Sequence, residues 1–115
     1  MNKALNTAAL AVCVALVAGA WLLTPVTKAQ AKDAAPTFAA KCAMCHGKNG
    51  SGDSPMGKSM KVPDLRSKAV QSKSDAELDG IITKGKGMMP AYGKQLSKED
   101  ISSLVAYIRH LGGKK

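Results

Sequence analysis

Cys42-Ala43-Met44-Cys45-His46 is the stretch on which the reading of this chain turns. Two thiols stand three positions apart, and an imidazole follows directly. On a helical or turned backbone, both sulfurs can add to the two vinyl groups of one porphyrin, with the adjacent imidazole projecting towards its iron. The pattern C-x-x-C-H is therefore read as a site of covalent haem attachment. Two other readings compete. A dithiol redox pair calls for a βαβ context, and no strand of credible length is visible. A structural zinc site calls for four ligands, and the only other histidine, His110, falls in the last turn of a helix, where such a residue is ordinary.

Working outward, the segment before the motif is of a different kind. Lys3 gives a positive start, Ala8 to Leu23 is an unbroken apolar run, and Ala29-Gln30-Ala31 is a small-x-small site. That order reads as a secretory signal peptide over residues 1–31, cut after Ala31. The alternative is an uncleaved anchor, although sixteen apolar residues span about 24 Å as a helix, short of the ~30 Å hydrocarbon core. Either way the functional part lies outside the cytoplasm, in the periplasm, and membrane association requires that residues 1–31 be retained. Cys13 counts as a small apolar residue of the leader, since Val12 stands where a lipoprotein site would have a small residue.

Residues 32–115 then form one small domain. They carry fifteen Lys and Arg against eight Asp and Glu, a net charge of +7, with Phe38, Tyr92 and Tyr107 as the whole aromatic complement. A domain this small and this poor in aromatics needs a staple. A disulfide between Cys42 and Cys45 would close too short a loop to serve, so the interior calls for a cofactor. The charge does not point to nucleic acid, because no stacking aromatics are interleaved with the basic residues.

The pattern along the domain is all-α. Lys32 to Ala35 reads as a tether and Pro36 as the first turn of a short helix running through Phe38 to Cys42. Five glycines and prolines make His46 to Met60 a loop region. Ser74-Asp75-Ala76-Glu77 is a capping box ahead of Leu78, Ile81 and Ile82, with Gly85 or Gly87 as the stop. Ser97 caps the last helix, whose apolar stripe is Ile101, Leu104, Val105, Ile108 and Leu111 and whose end is Gly112. An iron held by one imidazole needs a sixth ligand or an open face. Met44, Met56, Met60, Met88 and Met89 are the thioethers available, and a methionine taken alone is more often a space-filler than a ligand.

At this point the domain resembles a class I c-type cytochrome, of the short bacterial and algal soluble type with one haem. Phe38 stands four residues before Cys42, as the family's first-helix aromatic does. Val62-Pro63-Asp64-Leu65 is similar to its Pro-x-Leu stretch, Gly87-Met88-Met89-Pro90-Ala91-Tyr92 to its Gly-x-Met-Pro segment, and Leu104 to Ile108 to its final helix. The resemblance implies the cytochrome c fold, three to four short helices around one covalently bound haem c. It implies that Cys42 and Cys45 form the thioethers and His46 is the proximal ligand. The Pro63 carbonyl would accept from Nδ1 of His46, Leu65 would pack on the haem, and Met89 would be the distal ligand, with its neighbour Met88 the competing thioether. Phe38 and Tyr107 would meet where the first and last helices cross.

The function implied is one-electron carriage between redox partners in a respiratory or photosynthetic chain, without enzymatic chemistry on a substrate. Lys41, Lys48, Lys58, Lys84, Lys86 and Lys94 fall in or beside segments that should ring the haem crevice, which suits partners with acidic docking surfaces. The alternative is a haem protein with an open or labile sixth position that binds gases or reduces peroxide. It lacks a candidate acid–base group near Met89.

Overall fold

A computed structural model of the chain describes residues 28–114. Six helices follow one another: α1 Lys28–Lys41, α2 Ala43–His46, α3 Pro55–Ser59, α4 Lys68–Gln71, α5 Asp75–Lys84 and α6 Lys98–Leu111. Among the described residues there is no strand, only an isolated bridge between Lys86 and Met89. Three helices exceed two turns and three are single turns, so the all-α reading holds with extra turns inside the expected loops.

Those turns have local causes. Ser54 accepts from the Gly57 N–H, and Pro55 follows at the first helical position, where its missing N–H is not needed. Ser67 accepts from the Val70 N–H and opens α4 in the same way. Ser-Pro and the lone Ser were the available signals, but a single turn has no apolar periodicity to announce it.

The capping box expected at Ser74 forms, and the cap expected at Ser97 proves to be a second box. Ser74 and Glu77 satisfy each other's backbone N–H at the start of α5, and Gly85 ends that helix at φ 75°, a conformation glycine adopts without steric cost. Ser97 does the same at the start of α6, with Asp100 as its partner. Ile101, Leu104, Val105 and Ile108 are buried as one stripe, joined by Ala106. Leu104, at 2% exposure, is the most deeply enclosed large side chain.

At α1 the structure departs from expectation. Lys32 to Ala35 is helical, not a tether, and Pro36 lies inside the helix instead of opening it. Ala31, Ala34 and Phe38 are buried, a helical spacing that gives α1 one face to set against α6. Tertiary burial of that face overrides the breaking tendency of proline. The expected leader junction after Ala31 thus falls within α1. Residues 1–27 of the leader, including the apolar run and Cys13, lie outside the described residues.

The long helices make the frame. α1 and α5 both pack on α6, and α2 bridges α1 to α3. The Phe38 and Tyr107 rings meet at the α1–α6 contact, centroids 5.0 Å apart and tilted by 50°, a favourable aromatic geometry. Behind the frame, buried Gln71 donates from Nε2 to the carbonyls of Leu65 at 2.8 Å and Ile108 at 3.0 Å. Arg109 of α6 donates to Asp75 and to the carbonyls of Gln71 and Lys73. These bonds tie the α4–α5 connection to α6, and through Leu65 they fix one wall of the cavity described next.

Candidate haem site

The attachment segment is a tight turn between two helices. The Cys42 N–H donates to the Phe38 carbonyl at 2.9 Å, and the Cys42 carbonyl accepts from Cys45 at 3.2 Å and His46 at 2.9 Å. This turn sets both thiols and the imidazole against one space, a largely apolar cavity of about 380 Å³. Cys42, Cys45, His46, Pro63, Leu65 and Met89 all line it. Every candidate site residue in the sequence therefore converges on one cavity, although they span 48 positions of chain.

The electrostatics of the cavity follow from its apolar walls. Burial pushes the Cys42 thiol up to about 11; Lys41 opposes this and Cys45 adds to it. Burial also lowers the His46 pKa, which favours the neutral imidazole, the form that binds metals. The Tyr92 phenol is raised, by burial first and then by Cys42 and Cys45.

One expected contact is not made. Nδ1 of His46 is buried and has no hydrogen-bond partner, so the bond to the Pro63 carbonyl is absent although both residues line the same cavity. The reason is that the helical turn fixes where the imidazole stands, whereas the direction of Nδ1 depends on side-chain rotation.

The methionines separate by burial. Met89 is half-buried and packs against the hydrophobic core. Met88 touches the cavity but is 77% exposed, and Met44, at 71%, points away from it. Met56 is also exposed, and Met60 lines the cavity. Gly87 (φ 56°) and Met88 form the tip of a two-residue turn in which Lys86 and Met89 exchange both backbone hydrogen bonds. Met89 is thereby held at the base of the turn and Met88 displayed at its tip.

The lysines divide as well. Lys41 and Lys86 line the cavity, whereas Lys48, Lys58, Lys84 and Lys94 are exposed and do not. Lys61 and Lys73 line it without having been anticipated. Sequence reading also missed Gly57, where an added Cβ would run into the Cys45 carbonyl. It gave Tyr92 no role, yet the phenol donates to the Lys41 carbonyl at 3.1 Å. Neither has a local signal, since both act on residues far away in the chain.

These residues fit a haem. The space is apolar and within the range of cofactor pockets, two thiols flank an imidazole on one side, and a half-buried thioether lies in the wall. Cys42 and Cys45 would hold the porphyrin covalently, and His46 would hold its iron. When bound, the iron supplies a one-electron couple whose potential the axial ligands and burial adjust.

Comparison with known proteins agrees. The family model described as cytochrome C oxidase, cbb3-type, subunit III matches residues 29–108. The cytochrome c6 of a Synechococcus species is 34% identical over 91 residues, 76% of this chain and 76% of that protein. The cytochrome c6 of a Picosynechococcus species is 38% identical over 90 residues, with 74% and 76% covered. The cbb3-type cytochrome c oxidase subunit FixP of Azorhizobium caulinodans is 38% identical over 84 residues, 72% of this chain, but the match spans only 28% of FixP. Among solved structures, the KustC0563 c-type cytochrome superposes with a TM-score of 0.60 at 21% identity, covering 71% of this chain and 98% of that one, a likeness of fold. With the C-x-x-C-H turn, the cavity it faces and these relatives in view, the chain belongs to the cytochrome c family, with covalently attached haem c as its cofactor.

Proposed function

We propose that this chain is an exported one-electron carrier in a respiratory or photosynthetic chain, with His46 and Met89 as the axial ligands of its haem. The observation that carries the proposal is the convergence of Cys42, Cys45, His46, Pro63, Leu65 and Met89 on a single apolar cavity. Burial supports Met89 over Met88: a ligand held at the base of a turn and packed on the core loses little further freedom on binding. No carboxylate and no histidine besides His46 lines the cavity, so the commonest acid–base groups for peroxide chemistry are missing there, which favours carriage over ligand activation.

Location follows from the leader: residues 1–31 act as a signal peptide, and the domain works in the periplasm. Cleavage after Ala31 would remove the first turn of α1. Among the described residues no helix is long and apolar enough to cross a membrane. The partners are redox proteins with acidic docking faces, met through the lysine-bearing rim of the cavity. Relatives include subunits of cbb3-type oxidases, which makes a terminal oxidase a natural electron acceptor.

The test is an optical spectrum of the exported protein in both oxidation states. Sharp reduced-state bands with a weak far-red sulfur-to-iron band on oxidation are expected. Haem bands without the far-red feature would remove Met89 and favour the alternative of a labile sixth position. Absence of haem would overturn the proposal.

A further inference from the structure

Gln71 closes α4 and does not itself line the haem cavity, yet two residues that do line it depend on its side chain. The amide is buried and donates through Nε2 to the carbonyls of Leu65 at 2.8 Å and Ile108 at 3.0 Å. Exchanging its nitrogen and oxygen would set oxygen against two carbonyl oxygens, so the partners fix its orientation. Leu65 and Ile108 are both buried and both face the cavity. They come from separate parts of the chain, the stretch after Pro63 and the last turn of α6. One amide thus spans two pieces of the cavity wall from behind.

The two carbonyls do not depend on it equally. That of Ile108 also accepts from the Gly112 N–H at 3.1 Å. That of Leu65 has no other donor among the described residues. Leu65 is tied in turn to the segment that follows His46. Its N–H donates to the Gly50 carbonyl at 2.8 Å, and the Gly52 N–H donates to the His46 carbonyl at 2.7 Å. The Leu65 wall is therefore held between the loop that leaves His46 and the Gln71 amide.

The seat of the amide is Gly112. Its φ of −77° is open to any residue, so backbone conformation does not call for glycine there. A Cβ at this position would overlap Cδ of Gln71 and meet Oε1 at 2.6 Å. The missing side chain makes room for the amide. Attachment of α4 to α6 has other bonds: Arg109 and Lys114 donate to the backbone carbonyl of Gln71 at 3.0 and 2.9 Å. A buried amide is costly unless bonded, and both bonds of this one go to the cavity wall.

We propose that Gln71 is a positioning residue of the haem site, an inference that rests on the haem reading above. Its amide holds the Leu65 and Ile108 walls in place and keeps water from that side of the cavity. Without the amide, the Leu65 carbonyl is left unpaired and turns towards water, carrying its residue off the wall. Burial is one of the levers on the potential of a haem, and a wetter site favours the more highly charged oxidised iron.

The experiment compares the unmodified protein with Gln71→Met, Gly112→Ala and Arg109→Lys, each as exported holoprotein. Haem bands of the unmodified protein are read first, and their absence would mean that the haem reading has failed and the proposal with it. Gln71→Met keeps the length and bulk of the side chain and loses the donor. Gly112→Ala keeps the amide and removes its seat. Arg109→Lys disturbs the same junction without a change of charge and without touching the amide. In Gln71→Met and Gly112→Ala the reduced-to-oxidised ratio at a fixed applied potential should fall several-fold. The NMR signals of the Leu65 methyls, which the ring current of the haem displaces, should move with it. Arg109→Lys should lose stability and leave both readouts in place. The same potential and the same Leu65 signals in Gln71→Met as in Arg109→Lys would overturn the proposal. Should Gln71→Met fail to accumulate, Gly112→Ala carries the same comparison. Slow solvent exchange of the Gln71 side-chain amide protons is also expected in the unmodified protein, and rapid exchange would refute the seating.

Discussion

The phenol of Tyr92 donates to the carbonyl of Lys41 at 3.1 Å, joining residues 51 positions apart. Lys41 directly precedes the first thioether cysteine, and Tyr92 stands three residues beyond Met89. One hydrogen bond therefore ties the attachment segment to the segment that carries Met89, the proposed axial ligand. Tyr92→Phe keeps the ring and removes the bond. We expect a loss of about 0.5–1.5 kcal/mol in stability, read by denaturant unfolding, together with weaker retention of the far-red sulfur-to-iron band on warming. Unchanged midpoint and band would show that the bond is not a tether.

Met88 and Met89 should behave differently despite being neighbours. Met89→Ala removes the half-buried thioether and should abolish the far-red band and lower the potential, since the soft ligand favours reduced iron. Met88→Ala, at a side chain 77% exposed, should leave band and potential in place and change stability by less than about 0.5 kcal/mol. A band lost on Met88→Ala and kept on Met89→Ala would reverse the ligand assignment.

Gly57 supports the attachment turn from below. A Cβ there would meet the carbonyl of Cys45 and the carbonyl of Gly52 at 2.5 Å, both backbone atoms that cannot swing aside. Gly57→Ala should cost about 1–3 kcal/mol through overpacking and lower the yield of haem-loaded protein, because the displaced atom belongs to the Cys45–His46 turn. Gly80→Ala is the control: a Cβ at Gly80 meets nothing within 4 Å, and alanine favours the interior of α5.

The cap of α5 predicts an acid limb. The Ser74 N–H donates to the Glu77 carboxylate at 2.6 Å. That backbone hydrogen bond, then the one with the Ser74 side chain, hold the Glu77 pKa below its ordinary value. With the folded pKa depressed, the contribution is complete above the ordinary glutamate pKa and is lost as pH falls through the lowered one. Glu77→Gln keeps a side-chain acceptor without the titration, so its melting temperature should decline less than that of the parent over roughly pH 2 to 5. Parallel declines would remove Glu77 from the acid response.

Electron transfer to the physiological partner should slow as salt rises. Lys41, Lys61 and Lys86 expose positive charge at the cavity rim, and an encounter steered by such charges is screened over a Debye length of about 8–10 Å. Stopped-flow rates at increasing ionic strength check this. A rate indifferent to salt would leave the lysines with no role in docking.

Much of this protein is legible in the chain itself, because the deciding chemistry is local. C-x-x-C-H is five consecutive residues whose reactivity and spacing already point to haem attachment. Ser74 with Glu77 and Ser97 with Asp100 state the helix starts in four residues each, and the stripe from Ile101 to Ile108 states the buried face of α6 by its period. What only the tertiary structure decided lies in contacts between distant positions. Burial of Ala31, Ala34 and Phe38 carries α1 through Pro36, where local propensity would have ended it. The reach of Tyr92 to Lys41, the backing of Cys45 by Gly57 and the bonding of Leu65 and Ile108 by Gln71 depend on which surfaces face one another once the helices pack. The direction of the His46 Nδ1 depends on a side-chain rotation that spacing along a sequence does not encode.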